Sequence, residues 1–187
     1  MRCTPISGKR GSFRSGDVSF DSGRFVIRSE KDSRIVLTQI HDETDRDDCI
    51  PIIDVDSFDR RFINSDLVKD LRLRGRNLWL ISYIRTIDDV IDAMCGSFEI
   101  LCVPTHTVDG MDVLSDALEI SDRIIPTVFV DKSGVPLFER SLDRIVKDVR
   151  NLGYPGYALL DIDHMELTHH GQMNNPDIVS DSSFTML

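Results

Sequence analysis

Several residues with reactive or ligand-binding side chains fall directly after runs of apolar residues. Ser82, Tyr83 and Arg85 follow Leu78-Trp-Leu-Ile81, and Thr105 and His106 follow Ile100-Leu-Cys-Val103. Such runs read as buried strands, and the ends of parallel strands are where α/β proteins hold ligands, because helices cover both faces of the sheet. Arg85 has the planar fork of donors suited to a phosphate or carboxylate. His106, between Thr105 and Thr107, is placed either to line a pocket or to serve as a hydrogen-bonded structural histidine. Asp54, Asp56, Asp161 and Asp163 also close apolar runs, and they admit two readings: a carboxylate set for acid–base or metal work, or acids that cap the loops that follow. His164, His169 and His170 lie near the last two acids. They lack a helical His-x-x-x-His frame, so no metal is expected.

The elements that position these residues alternate regularly. Ile50-Pro-Ile-Ile-Asp-Val55 predicts a strand, Ser65 to Arg74 a helix opened by a capping serine and stopped at Gly75, and Leu78 to Ile81 a second strand. Helices follow over Thr86–Met94, Gly110–Ile120 and Ser141–Leu152, with strands over Phe98–Val103, Ile124–Val130 and Tyr157–Ile162 between and after them. The units repeat at about thirty residues, and the strands are apolar throughout, which requires parallel pairing with both faces covered. An open doubly wound sheet and part of a (β/α)8 barrel both fit. Earlier in the chain, Val18 to Arg28 alternates around Asp21-Ser-Gly23 and predicts a β-hairpin. Arg34–Ile40 reads as another strand. His41–Asp48 reads as a solvated acidic turn, since it lacks the Asp-x-Asp-x-Asp-Gly order of a calcium loop. Residues 1–17, rich in Gly, Ser, Lys and Arg, read as a flexible basic tail.

With 187 residues, 41% hydrophobic and 29% charged, the chain has material for one core and one domain. A net charge of −10 argues against nucleic acid and against anionic membrane surfaces as partners, while small anions can still be held by backbone N–H groups. Cys3, Cys49, Cys95 and Cys102 stand singly, which reads as reduced thiols in a cytoplasmic protein, with Cys95 and Cys102 in the core. No apolar run approaches the ~18 residues of a membrane helix. No cofactor is implied.

The motifs taken in order resemble a known family. Ile52-Ile-Asp-Val-Asp-Ser-Phe58, Asn64-Ser-Asp-Leu-Val-Lys-Asp-Leu71, Leu78 to Val90, Val103-Pro-Thr-His-Thr-Val108, Phe129-Val-Asp-Lys-Ser-Gly134 and Leu159-Leu-Asp-Ile-Asp163 are similar to the strand-end motifs of the histidine-biosynthesis (β/α)8-barrel family. Its members are phosphoribosylformimino-aminoimidazole-carboxamide ribotide isomerase, the cyclase subunit of imidazole-glycerol-phosphate synthase, and related archaeal barrel proteins. The resemblance runs over residues 50–177. It implies a TIM-barrel-like fold in residues 18–177, followed by a tail over 178–187, and a phosphorylated small molecule held near Asp54, Ser82, Arg85, Thr105 and His106. If chemistry remains, Asp131 and Asp161 would supply it from one cavity.

Several departures bear on that chemistry. Ser82-Tyr83 stands where the family has phosphate-cradling glycines, and Pro104, with no N–H, stands where it has Gly before the fourth-strand Thr. The family's catalytic Asp pair corresponds to Ser19 and Val130 here, and Asp131 is one place off, on the opposite face of a strand. After Asp163 only a polar tail is expected, so the barrel would be shortened, with the N-terminal hairpin or a second copy of the chain covering the gap. The leading expectation is therefore a divergent barrel without the usual acid–base pair, acting as a binding or structural protein and forming a homo-oligomer. One alternative is an isomerase or lyase acting on a phosphorylated sugar-like metabolite. Another is a thioredoxin-like domain without CxxC, suggested by Ile125-Pro-Thr-Val-Phe-Val-Asp-Lys-Ser-Gly-Val-Pro136; a trans Ile125–Pro126 bond would count against it.

Overall fold

The computed structural model describes residues 1–9, 12–21, 24–27, 31–32, 49–72, 78–96, 98–138 and 141–171. The elements are β1 (Thr4–Lys9), β2 (Ser12–Ser15), β3 (Val18–Asp21), β4 (Arg24–Ile27), β5 (Lys31–Asp32), β6 (Ile50–Asp54), α1 (Val55–Arg60), α2 (Ser65–Arg72), β7 (Leu78–Ile81), α3 (Ile87–Met94), β8 (Ile100–Pro104), α4 (Met111–Ile120), β9 (Ile124–Val130), α5 (Leu142–Asn151), β10 (Gly156–Asp161) and β11 (Glu166–Gly171). The strand expected at Arg34–Ile40, the acidic turn at His41–Asp48 and the tail at 178–187 lie outside the described residues.

The parallel strands run in chain order, β1-β6-β7-β8-β9-β10, flanked by antiparallel β11 on one side and by β2 and β5 on the other. A doubly wound sheet would reverse direction at a switch point. This one does not, so the chain is mixed α/β with barrel-like order. The sheet also curls. Cys3 N–H donates to the Met165 carbonyl at 2.7 Å, Leu167 N–H donates to the Met1 carbonyl at 2.7 Å, and the Met1 amine donates back to the Leu167 carbonyl at 2.8 Å. The start of the chain thereby meets β11, six places away in the strand order, and closes the ring.

Burial follows from this curl. Consecutive strand residues alternate between two faces, and both faces are packed. Ile52, Leu80, Leu101, Val103 and Val128 meet Leu67, Val90, Leu114, Ala117, Ile145 and Val149 of the covering helices. Ile53, Ile81, Cys102, Ile125, Phe129, Ala158, Leu160 and Leu167 fill the other face together with Cys3. Helix starts are set locally: Ser141 Oγ accepts from Arg144 N–H, and Asp89 accepts from the N–H groups of Arg85 and Thr86 at the start of α3.

Two expectations about the ends of the chain are corrected. Residues 1–17 are not a flexible basic tail: β1 and β2 belong to the main sheet, with Ile6 and Phe13 fully buried. In β2 the polar neighbours conceal a period-two pattern, Phe13 and Ser15 being buried and Arg14 exposed, and in β1 the successive residues Pro5 and Ile6 are both buried. The stretch after Asp163 is not merely a polar tail either, because β11 pairs along the whole of β10. Its exposed face carries Glu166, Thr168 and His170, while Leu167 turns inward, as suits a strand covered on one side. Since Met1–Cys3 bridges to β11, the edge that motivated self-association is met by the chain itself. Cys95 is exposed rather than packed in the core; the deeply buried thiols are Cys3 and Cys102. Ile125–Pro126 is trans, which counts against the thioredoxin-like alternative. Among the described residues no helix is long and apolar enough to cross a membrane.

The ring closure yields a direct expectation. Deleting Met1–Cys3 removes the three bonds to β11, at about 1 kcal/mol each, so stability should fall by roughly 3 kcal/mol. Amide exchange at Leu167 should accelerate in step. Unchanged protection there would mean that β10 alone holds β11 in place.

Candidate functional site

The C-terminal ends of β6 to β10 form one rim. At the end of β6, Asp54 is 1% exposed; one carboxylate oxygen accepts from Ser57 N–H at 3.3 Å, and the other from Asn64 N–H at 3.1 Å and Ser82 Oγ at 3.2 Å. It thus caps α1, fixes the α1–α2 turn and ties β6 to β7. Burial outweighs these hydrogen bonds and pushes the carboxyl up to about 7. Ser57 Oγ donates to the Asp54 carbonyl at 2.7 Å and accepts from Tyr83 N–H at 2.9 Å. Asp56 turns away from the rim and accepts from Ser7 Oγ at 2.7 Å and Gly8 N–H at 2.8 Å. Gly8 has φ 136°, a backbone setting that side chains other than hydrogen rarely allow.

Two of the expected anion contacts have other partners within the fold. Ser82 is fully buried with its hydroxyl on Asp54, and Thr105 N–H donates to the Thr127 carbonyl at 2.9 Å, extending the β8–β9 ladder. Arg85 is exposed and its Nε lies 3.4 Å from Asp109, an ion pair that solvent screens. Thr107, which had been noted only as a neighbour of His106, is buried with its hydroxyl 2.6 Å from the Ile84 carbonyl and 2.9 Å from that of Pro104.

Asp131 and Asp161 end adjacent strands, Asp161 standing in register with Val130. Both build turns. Asp131 accepts from Ser133 N–H at 2.8 Å and Val135 N–H at 3.0 Å, and Asp161 accepts from Asp163 N–H at 2.9 Å and His164 N–H at 3.1 Å. Asp161 also lies 2.7 Å from His164 Nδ1. Burial acts to raise the Asp161 carboxyl, but the His164 and Asp163 hydrogen bonds prevail and hold it below its ordinary range. Asp163 joins the two turns by accepting from Lys132 N–H at 3.0 Å. Such geometry stabilises loops; Asp161 uses both of its oxygens in this way, whereas both bonds to Asp131 fall on one oxygen. Among the described residues no three His, Cys, Asp or Glu side chains converge as a metal-binding group.

What occupies the rim is aromatic. Phe129 at the end of β9 lies 5.6 Å from Phe58 of α1 and 4.7 Å from His106, measured between ring centroids; Phe58 in turn meets Tyr83 at 6.1 Å. Phe138 stacks on His106 at 3.8 Å and 8°. From above, β3 and β4, which pair with each other where the hairpin was expected, insert Phe20 and Phe25. Phe25 reaches Phe58 at 5.0 Å and Phe129 at 6.1 Å, and Phe20 reaches Phe129 at 6.4 Å and Phe138 at 6.5 Å. Within this enclosure His106 Nδ1 is buried and has no hydrogen-bond partner among the described residues. Burial pushes the imidazole down to about 4, so it is neutral near pH 7. The sequence reading singled out His106 and Tyr83 but none of the five phenylalanines. The available signal was an aromatic or imidazole ring at or just beyond the ends of β6, β7, β8 and β9.

Neither a known protein family nor a curated protein matches the chain.

Proposed function

We propose that this chain is a divergent relative of the histidine-biosynthesis barrels, without their isomerase acid–base pair, that works as a binding or structural protein. The observation that carries the reading is the state of the strand-end carboxylates: Asp161 has one oxygen on its turn N–H groups and the other on His164, and Asp131 commits one oxygen to the Ser133 and Val135 N–H groups of its own turn, where a general acid or base needs a lone pair or proton directed at substrate. The aromatic rim supports it, since Phe58, Tyr83 and Phe138 offer rings where a phosphate needs N–H groups.

The test is turnover and thermal shift with inorganic phosphate and phosphorylated sugars, using the wild type, Asp131→Asn and Asp161→Asn. No turnover is expected, no ligand-induced shift, and a stability change of about 1 kcal/mol in each variant from the altered turn. Turnover that either substitution abolishes would overturn the reading. One observation favours the second reading, an isomerase or lyase acting on a phosphorylated sugar-like metabolite. Asp54 has a proton affinity near neutrality, the range an acid–base catalyst needs. That reading requires activity that vanishes in Asp54→Asn while the variant stays folded.

A further inference from the structure

We propose that the β3–β4 pair is a displaceable lid whose Phe20 and Phe25 occupy, in the same chain, a binding site for a flat, uncharged aromatic molecule bearing one hydrogen-bonding group, with His106 Nδ1 as its polar contact. This deepens the noncatalytic reading of the rim by naming its ligand class.

Three observations converge. The β3–β4 pair forms its own two-stranded sheet, separate from the nine-stranded one. An isolated pair of this size is marginal in water, so side-chain contacts with the rim must hold it in place. Among those contacts are rings, Phe25 on Phe58 and Phe129 and Phe20 on Phe129 and Phe138, with Val18 and Ile27 packed on the same apolar cluster. Phe25 is 4% exposed, whereas Arg24 and Val26 on either side of it face solvent, so the pair presents a single apolar face.

The second observation is the wall beneath. Phe58, Tyr83, His106 and Phe129 stand at or just beyond the ends of β6, β7, β8 and β9, with Phe138 from further along the chain; Tyr83 is held without the lid by its N–H on Ser57, and Phe129 by the β9–β10 ladder. Edge-to-face packing, as between Phe58 and Phe25 at 71°, is how such rings also take up a planar guest.

The third is the orphaned His106 Nδ1. Buried side-chain nitrogens in native structures nearly always have a partner. The rings packed against His106 are Phe129 and Phe138, which offer this atom nothing, and Phe20 of the lid lies against both of them. A guest with a hydroxyl or ring N–H would satisfy it, and the neutral imidazole can accept through Nδ1 when Nε2 carries its proton.

The probe is 2-naphthol, two fused rings with one hydroxyl, compared with naphthalene. Three proteins are titrated calorimetrically: the wild type, Phe20→Ala/Phe25→Ala, and the same double variant with His106→Leu. Emptying the lid should tighten 2-naphthol binding roughly tenfold or more, and His106→Leu should reverse most of that gain for 2-naphthol alone, by roughly tenfold. Hydrogen exchange on the wild type makes the test independent of how the variants fold: saturating 2-naphthol should raise exchange at the Phe25 and Val26 amides and leave that at Leu101 unchanged. Unchanged β3–β4 exchange at saturation, no binding at all, or equal effects of His106→Leu on both probes would each overturn the proposal. Turnover of a phosphorylated metabolite would instead overturn the noncatalytic reading and leave lid displacement to be judged by exchange.

Discussion

Phe129→Ala is expected to destabilise the protein by about 3–5 kcal/mol, read as a lowered urea midpoint with an unchanged slope. Phe129 is 1% exposed and joins four ring partners, His106, Phe58, Phe25 and Phe20, drawn from three separate segments of the chain. Truncation leaves a void that those rings can fill only by leaving their own contacts. Domains of this size have about 5–15 kcal/mol in total, so the variant would keep a small margin. Leu101→Ala is the matched comparison: Leu101 is fully buried on the helix-covered face, and its loss costs about 2–5 kcal/mol. The two should differ in kind. Phe129→Ala removes the floor on which Phe20 and Phe25 rest, so exchange at the Phe25 amide should rise well below the unfolding transition. Leu101→Ala should affect that amide only through global unfolding. Identical exchange patterns would show that the β3–β4 pair is not a separable unit.

The parallel part of the fold was readable because it depends on local composition. Uninterrupted apolar runs mark β6 to β9, each buried on both faces, and β10, half-buried on one, and Thr86, Ser141 and Gly153 mark helix ends by chemistry that acts within one turn. Of the strands missed, β2 and β11 have one buried face and a polar one, and β1 buries the successive residues Pro5 and Ile6, so the apolar signal of the three is carried by few residues: Ile6 and Phe13 at one end, Leu167 at the other. In β1 and β2 the Gly, Ser, Lys and Arg content of the neighbours outweighs that signal in any compositional reading. The rim shows the same limit. Ser82, Tyr83, Thr105 and His106 do follow β7 and β8, as the apolar runs indicate. What their donors bond to depends on Asp54, Ser57 and Thr127, which belong to other strands or the turns after them, and on a convergence of rings from distant segments that no local pattern encodes. Of the positions that the family resemblance implies for a phosphate, Ser82 and the Thr105 N–H have other partners.

Asp54→Asn is expected to reverse its effect on stability between acid and alkaline conditions, by on the order of 4 kcal/mol across the range. Burial raises the folded-state carboxyl from 3.8 to about 7 despite three hydrogen bonds. The folded protein therefore holds this proton more tightly than the unfolded chain does. Its contribution to stability is fully present below pH 3.8, declines as pH rises toward 7, and is flat above that. Asparagine cannot titrate. Near pH 4 the variant gives up a well-placed neutral carboxyl, and an amide that must set its NH2 group against some of three donors should be the less stable. At pH 8 it relieves a charge buried at 1% exposure and should be equal or more stable. His106 works in the opposite sense: held neutral with a value near 4 against 6.5, it contributes stability above pH 6.5 that is lost as pH falls toward 4. The wild-type curve alone would blur the two, but the difference between wild type and variant cancels His106 and isolates Asp54. Urea unfolding of both proteins at pH 4, 6 and 8 decides it. Parallel curves would mean that the carboxylate stays charged throughout, its three donors outweighing burial, and that no proton near neutrality is held at the end of β6 for any acid–base role.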